Sequence, residues 1–306
     1  MANKLVMNQI DGNLYLGDIE WATNHHQELK NLNITSILST LWAPIPSAQR
    51  HRDLHYHFIK AQDSKDQDLL SYFLHTYDII DRCVQSGAGI LVHCRVGISR
   101  SATIVIAYLM RRYRKPYEEM RALVKSRRNL IHPNPGFIRQ LQLFEAMDYT
   151  LDANNRRFRH YLVKKYMNKS RYLDMNLSRF FERLTVAEEV TKDYDLGEQY
   201  VCRNCHHKLF NDIHVIKNDD LMDLDDWQSV SCSRVYVEPM PWMTELWEER
   251  EKESTPPEVS ICCKGCRKVK AKCDKALTSD VCHCGLHHGI RDRLKIQMID
   301  YSFKIL

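Results

Sequence analysis

The sequence predicts an α/β domain, a central sheet flanked by helices, followed by a smaller domain organised around clustered cysteines. Strand-like and helix-like patterns alternate over residues 1–150, which is typical of layered α/β folds. Of 11 cysteines, only Cys83 and Cys94 precede residue 200, and the other nine lie between Cys202 and Cys284. A chain of 306 residues is long enough for two domains. We expect a first domain over 1–150, a basic linker or helix over 151–198 and a second domain over 199–306.

The elements of the first domain follow from the spacing of its apolar residues. Short apolar or alternating runs predict strands over residues 13–16, 34–38, 55–60 and 90–92. Apolar residues three or four positions apart predict helices over residues 68–85, 99–114, 117–124 and 137–147.

One stretch combines a predicted strand, a loop and a helix start: it runs from Ile90 to Arg100 and reads His93-Cys94-x-x-Gly97-x-x-Arg100 in its second half. A thiol between a strand and a helix N-terminus meets converging backbone N–H groups and the helix dipole, which favour an anion and lower the thiol pKa. The resulting thiolate can attack phosphorus. Cys94 is therefore the predicted nucleophile.

The neighbours of Cys94 have matching predicted roles. Gly97 allows the tight turn that points backbone N–H groups inward. The guanidinium of Arg100 grips two phosphate oxygens, the hydroxyl of Ser101 stabilises the sulfur as it leaves, and His93 orients the loop rather than acting as a base. The predicted phosphate-binding residues of the loop itself are Arg95, Val96, Gly97, Ile98, Ser99 and Arg100.

This loop resembles the signature of the cysteine-dependent phosphatases. Residues 13–17 (NLYLG) and 134–141 (NPGFIRQL) further resemble the opening strand and the closing helix of their dual-specificity branch. The resemblance implies a shallow pocket open to phosphotyrosine, phosphoserine and phosphothreonine in proteins, and catalysis without a cofactor. It also implies that Asn134 braces the phosphate loop; a plain helix N-cap is the alternative role, and both can hold.

The same resemblance implies a general acid, an aspartate about 30 residues before the cysteine. Asp63 lies 31 residues before Cys94 and is the preferred candidate. Asp66 is its rival, whereas Asp68 has the position of a helix N-cap.

The cysteines after residue 200 have the spacing of zinc ligands. Cys263, Cys266, Cys282 and Cys284 predict one closed structural site, with Cys262 as a competitor of Cys263. Cys202, Cys205 and Cys232 predict three ligands of a second site. Its fourth ligand is a histidine, His206, His207 or His214, and His214 is preferred because it is better separated from the first two cysteines.

The cysteine-rich tail also resembles a family. Residues 200–210, 237–243 and 263–285 resemble the C-terminal zinc module of the atypical dual-specificity phosphatases, the group of dual-specificity phosphatase 12 and its yeast counterpart. The resemblance implies two zinc ions and, from the yeast member, a part in assembly of the large ribosomal subunit.

Charge and the N-terminus complete the expectations. The net charge of +5 suits phosphoproteins, RNA or pre-ribosomal particles as partners. Residues 151–184 hold nine Lys or Arg; a solvated helix or tether is the preferred interpretation of this segment, and a contact with RNA or an acidic partner is the alternative. The N-terminus lacks the apolar core of a signal peptide, and the longest apolar run, Ala102 to Met110, is too short to span a membrane, so we expect the cytoplasm and nucleus, with cysteines reduced. Three functions remain open: a protein phosphatase, a ribosome-assembly factor acting mainly through its zinc tail, and an RNA 5′-phosphatase.

Overall fold

The structure is a computed structural model, and it divides into two compact units, Met1–Leu151 and Asp152–Leu306. It describes residues 7–152 continuously and, beyond them, 155–159, 161–162, 197–215, 236–237, 240, 242–243, 258–274, 296–298 and 303–305. Among these residues, no helix combines the length and the apolar character needed to cross a membrane. The first unit ends one residue beyond the predicted boundary, and most of the predicted linker lies outside the described residues.

The first unit is built on a five-stranded sheet with the order β1-β2-β5-β3-β4. The strands are β1 (Asn8–Asp11), β2 (Leu14–Gly17), β3 (Ile34–Leu41), β4 (His55–Lys60) and β5 (Gly89–His93). β1 runs antiparallel to β2, while β2, β5, β3 and β4 are mutually parallel. Parallel strands deliver the segments that follow them to one edge of the sheet, so the loops after β3, β4 and β5 meet there.

Six helices accompany this sheet. They are α1 (Ile19–Asn24), α2 (His26–Asn31), α3 (Phe73–Gln85), α4 (Arg100–Tyr113), α5 (Tyr117–Arg127) and α6 (Pro135–Ala146). Residues 101–110 of α4 are all buried, so this helix is the centre of its layer. Ala22 of α1 and Leu29 of α2 pack instead into a cluster with Ile37 and Leu91 of the sheet. Because only the short loop 94–99 separates β5 from α4, the α4 N-terminus lies close to the end of β5.

The predicted α/β fold class is confirmed, and all four predicted strands are present. The sequence patterns did not predict β1, α1 and α2, which are short and carry few apolar residues. The helix expected over 68–85 begins as a 3-10 turn at Leu70–Tyr72 before α3. Asp68 accepts hydrogen bonds from the backbone N–H and the hydroxyl of Ser71, at 3.1 and 2.7 Å, but the N-cap position of this turn is Leu69, one residue beyond the predicted N-cap.

Among its described residues, the second unit contains two antiparallel sheets. One has the order β12-β6-β7 and the other the order β8-β11-β10-β9. The strands are β6 (Gln199–Cys202), β7 (Lys208–Asn211), β8 (Tyr236–Val237), β9 (Glu258–Cys262), β10 (Val269–Asp274), β11 (Ile296–Met298) and β12 (Phe303–Ile305). Each Cys-x-x-Cys pair lies at a turn between two paired strands, β6 and β7 or β9 and β10.

Candidate active site and cysteine cluster

The loop between β5 and α4 is the centre of the candidate active site. Cys94 follows β5 directly, is 2% exposed, and lies close to the N-terminus of the 14-residue helix α4. Gly97 has φ +74°, and a Cβ at this position would lie 2.3 Å from the carbonyl oxygen of Gly17. The turn therefore requires glycine, as the sequence predicted, and it brings the Gly97 N–H to 3.3 Å from Cys94 Sγ.

The surroundings of Cys94 favour its thiolate. Burial alone would raise the pKa of the thiol. This effect is outweighed, and the pKa is lowered, by hydrogen bonds from the side chain and backbone of Ser101, a hydrogen bond from the backbone of Val96 and the nearby charge of Arg100. The Ser101 hydroxyl donates to Cys94 Sγ at 3.2 Å. These contacts give the sulfur the character of an anionic nucleophile.

Arg100 offers a donor that an anion can use. Its Nη1 donates to the carbonyl oxygen of Ala61 at 3.2 Å, and its Nε lies 3.7 Å from Asp63 Oδ2. Nε is buried, and no residue in the described part of the chain accepts a hydrogen bond from it. Because a buried unsatisfied N–H is costly, this donor fits an oxygen that the substrate supplies.

Asp63 lies beside the loop, held by residues from two other segments. Its Oδ1 accepts hydrogen bonds from Ser99 Oγ at 2.7 Å and from Asn134 Nδ2 at 2.8 Å. Asn134 also caps α6 by accepting from the Phe137 N–H at 3.1 Å, and its own N–H donates to Ser99 Oγ. Both roles considered for Asn134, loop contact and N-cap, are present in the geometry.

His93 is fully buried behind the nucleophile. Burial, partly opposed by the hydrogen bond with the Cys94 carbonyl, lowers the pKa of His93 to about 4, so the ring is neutral near neutral pH. Its Nδ1 lies 3.0 Å from the Cys94 carbonyl oxygen and its Nε2 lies 2.7 Å from Ser39 Oγ. Nδ1 must carry the proton, since a carbonyl can only accept. These contacts agree with the predicted orienting role.

The sequence patterns missed Arg128, which supports the loop from the other side. Its guanidinium donates to the carbonyl oxygens of Gly97 and Val96 at 2.8 and 3.0 Å, and burial lowers the pKa of Arg128. Within the loop, Arg95 and Val96 are exposed and Ile98 is half-buried. Arg128 looks like a surface cation at the end of a basic helix, so nothing in its local sequence signals this contact.

The cysteine cluster of the second unit differs from the predicted ligand sets. Cys202, Cys205, Cys263 and Cys266 form a single group, with all four Sγ atoms within 4.8 Å of one another. The prediction that the two pairs hold separate metal ions is therefore wrong. Hairpins close in space can pool their thiols across 60 residues of sequence, which spacing alone does not show. Cys232, Cys282 and Cys284 lie outside the described residues.

His214 does not belong to this group of four. Its ring is half-buried, and its Nδ1 accepts a hydrogen bond from the backbone N–H of Asn211 at 3.1 Å, in a local cap at the start of a 3-10 turn. Burial, with the nearby Arg159, lowers the pKa of His214 to about 3. Cys263 and Cys266, rather than His214, join Cys202 and Cys205 in this cluster. The predicted role of His214 as a ligand in a site with Cys232 stays a prediction, because Cys232 lies outside the described residues.

The four thiols fit a tetrahedral zinc ion. Zinc–thiolate bonds of about 2.3 Å place neighbouring sulfurs about 3.8 Å apart. Cys202 Sγ lies 3.6 Å from Cys266 Sγ, and Cys205 Sγ lies 3.6 Å from Cys263 Sγ. A Cβ at Gly265 would lie 2.9 Å from Cys205 Sγ, so the turn must be a glycine to pack this closely. Cys263, not its competitor Cys262, belongs to the cluster.

The two turns that carry these thiols have the same backbone geometry. In one, Cys202 N donates to the His207 carbonyl at 2.8 Å and His206 N to the Cys202 carbonyl at 2.9 Å. In the other, the Cys263 N–H donates to the Lys268 carbonyl at 3.0 Å, and the Arg267 N–H donates to the Cys263 carbonyl at 2.8 Å. We call them the two knuckles, residues 202–208 and 263–270.

Comparison with known proteins identifies relatives of both units. The profile of the dual specificity phosphatase catalytic domain matches residues 14–147. The chain is 42% identical to Dual specificity protein phosphatase 1B of Arabidopsis thaliana over 139 residues, which cover 45% of this chain and 81% of that protein. It is 30% identical to Tyrosine-protein phosphatase yvh1 of Schizosaccharomyces pombe over 241 residues, which cover 78% of this chain and 69% of that protein. It is 26% identical to Dual specificity protein phosphatase 12 of Mus musculus over 246 residues, covering 75% and 71% of the two chains.

Proposed function

The chain belongs to the dual-specificity phosphatase family, and we propose that it hydrolyses phosphotyrosine, phosphoserine and phosphothreonine in proteins through a phosphocysteine at Cys94. The observation that carries this proposal is one constellation: a sulfur with a lowered pKa, a buried cation with an open donor, and a carboxyl group meet at the loop after β5. Cys94 is the nucleophile, Arg100 is the cation that binds the phosphate oxygens, and Asp63 is the acid, the three groups that phosphoryl transfer to a thiolate requires.

The first step transfers the phosphoryl group to the protein. Loop N–H groups and the guanidinium of Arg100 hold the phosphate oxygens, and the Cys94 thiolate attacks phosphorus as the ester P–O bond breaks. Asp63 gives its proton to the leaving oxygen. Two donors already bind Asp63 Oδ1, so Oδ2 is the oxygen that carries this proton.

The second step returns the thiolate. Asp63, now ionised, accepts a proton from a water molecule, whose oxygen attacks phosphorus and releases phosphate. The S–P bond breaks, and the Ser101 hydroxyl stabilises the departing sulfur through the contact that it already makes. His93 keeps the loop in shape and takes no proton in either step.

A small aryl phosphate tests this proposal directly. We expect turnover by the full-length protein, and none by Cys94→Ser or Arg100→Met, while Ser86→Ala on the exposed end of α3 keeps wild-type turnover. No turnover by folded wild-type protein, or turnover retained by Cys94→Ser, would contradict it. A triphosphate-ended RNA oligonucleotide as a parallel substrate tests the RNA 5′-phosphatase alternative, which uses the same loop chemistry.

For the second unit we propose a zinc-stabilised module that binds an anionic partner, such as RNA within pre-ribosomal particles. The distribution of charge favours this role. Residues 152–306 hold 26 Lys or Arg against 25 Asp or Glu, yet the two knuckles hold six Lys or Arg and no acidic residue. Five of the six are exposed: Arg203, Lys208, Lys264, Arg267 and Lys268. A net cation cluster on a nearly neutral unit suits a phosphate backbone.

Co-sedimentation with ribosomal particles tests this second function. We expect a chain carrying Lys264→Glu and Arg267→Glu to keep phosphatase turnover and bound zinc but to leave the particle fraction. The same fractionation with Cys94→Ser separates the two functions, because that variant should remain on the particles. A charge-reversed chain that still co-sediments would contradict the role of the knuckles.

We further propose at least one structural zinc ion per chain, held by the four-cysteine cluster, and two in total as the sequence predicts. Reduced thiols at Cys94 and in this cluster require a reducing compartment, which supports the cytoplasm and nucleus as the sites of action. Metal analysis of purified protein and imaging of a tagged chain test these two points.

A further inference from the structure

Two large exposed apolar side chains, Val96 and Leu130, lie on or beside the phosphate loop. The first unit exposes six large apolar side chains among its described residues: Leu32, Trp42, Tyr72, Val96, Tyr113 and Leu130. Val96 belongs to the loop itself, and it is 37% exposed. Leu130, 41% exposed, lies between Arg128 and His132, both of which bond to loop carbonyls. Single exposed apolar residues are common on protein surfaces, so the position of each one relative to the catalytic loop decides whether it can contact a substrate.

Trp42 is the largest of these side chains, and the sheet places it at the same edge. It follows β3 directly, and β3 pairs in parallel with β5, with Ser39 opposite His93. Strand geometry then places the Cα of Trp42 roughly 10 Å from that of Cys94. Two hydrogen bonds connect this position to the catalytic arginine. The Ala61 N–H donates to the Leu41 carbonyl at 2.8 Å, and the Ala61 carbonyl accepts from Arg100 at 3.2 Å.

The indole ring of Trp42 makes a cation–π contact and is otherwise exposed to solvent. Lys60 Nζ lies 4.5 Å from the ring centroid, a cation–π contact that covers part of the ring. Trp42 nevertheless remains 58% exposed, the highest exposure among the six. An indole that is contacted by a cation and left largely uncovered offers a flat face on which a second aromatic ring can stack.

We propose that Trp42, with Lys60 as its positioning residue, forms a subsite for the aromatic ring of phosphotyrosine and makes the enzyme prefer aryl over alkyl phosphates. The inference rests on the phosphatase activity proposed above. In this arrangement a phosphotyrosine seated on Cys94 carries its ring out of the loop at the sheet edge where β3 and β5 end, and there the ring packs on Trp42. Phosphoserine and phosphothreonine bring no ring to this rim, so their turnover gains nothing from Trp42.

The test compares kcat/KM for two peptides of identical sequence, one with phosphotyrosine and one with phosphothreonine. Trp42→Ala should lower the value for the phosphotyrosine peptide roughly tenfold and leave the phosphothreonine value within about twofold. Trp42→Phe should restore most of the loss. Leu32→Ala is the matched control, an exposed apolar residue after α2 at the opposite end of β3, and it should change neither value.

Two outcomes would overturn the inference: an equal loss on both peptides, which indicates a structural role, or no loss on either. Absence of turnover by the wild-type protein would instead contradict the phosphatase proposal.

In that case, binding of the peptide can still be measured with Cys94→Ser. Titration with the phosphotyrosine peptide should change the tryptophan fluorescence of Cys94→Ser, and additional replacement of Trp42 by Phe should remove that change. A fluorescence change that survives this replacement contradicts the subsite even without turnover.

Discussion

Replacement of Ser101 by alanine should raise the pKa of the Cys94 thiol and change its reactivity in a pH-dependent way. The Ser101 hydroxyl donates to Cys94 Sγ at 3.2 Å in a buried setting, and it is the foremost contact that opposes the effect of burial on the thiol. Alanine removes this donor and leaves the rest of α4 unchanged. Because the bond favours the thiolate, its loss disfavours the charged form.

The size of the effect follows from the bond that is lost. Hydrogen bonds to a charged group contribute about 1.5–3 kcal/mol, which corresponds to about a ten- to hundredfold smaller thiolate fraction at a pH below the thiol pKa. A more basic thiolate is also more nucleophilic, which recovers about half of this effect on a logarithmic scale. The net expectation is about a three- to tenfold slower reaction with iodoacetamide in acidic buffer. In alkaline buffer the variant should react as fast as wild type or faster.

The assay follows alkylation of the Cys94 peptide by mass spectrometry across a pH series, which separates this thiol from the other cysteines. Ser86→Ala is the control, because the Ser86 hydroxyl donates to the Cys83 carbonyl at 2.7 Å, away from the loop. The reasoning is refuted if Ser101→Ala slows alkylation by the same factor at every pH, which would mean lost access rather than a changed pKa. An unchanged profile would refute it equally.

Three further perturbations have definite expected outcomes. Asp63→Asn should lower turnover of an alkyl phosphate by about 10²–10⁴ and turnover of an aryl phosphate with a good leaving group far less, because only the poor leaving group needs the acid. Equal losses on both substrates would contradict this role of Asp63. Gly97→Ala should lower the free energy of unfolding of the first unit by about 2–4 kcal/mol in denaturant, because a Cβ there would lie 2.3 Å from the Gly17 carbonyl oxygen. Wild-type stability and turnover in this variant would contradict the observed turn. Cys263→Ser should remove one zinc ion per chain and expose the second unit to protease while aryl phosphate turnover persists, whereas unchanged zinc content would contradict the four-thiol cluster.

The sequence predicted the catalytic half of this fold well because its signals are local. The segment from β5 into α4 has a fixed order of strand, tight turn and helix, and Gly97 and Arg100 are recognisable by type and spacing alone. Asp63 was found from a resemblance, and the structure brings it within 3.7 Å of Arg100. The helices α1 and α2 were missed because six residues are too few for a clear apolar period.

Contacts between distant segments could not be predicted in this way. Arg128 reaches the loop carbonyls from the end of α5, and Ser39 meets His93 across two neighbouring strands. Neither residue has a local pattern that distinguishes it from an ordinary surface cation or strand hydroxyl. The prediction of the zinc ligand sets failed for the same reason. Spacing favours ligand sets close in sequence, whereas Cys202 and Cys266 meet because two hairpins approach in space.

Chemical trapping of the intermediate tests the central claim most directly. A phosphotyrosine peptide is mixed with the full-length protein, the reaction is stopped in acid at early times, and the digested chain is analysed by mass spectrometry. The account predicts phosphate on the Cys94 peptide, a larger amount in Ser101→Ala because the sulfur leaves more slowly, and none in Cys94→Ser. Turnover of the peptide with no phosphate on Cys94 at any time point would contradict it.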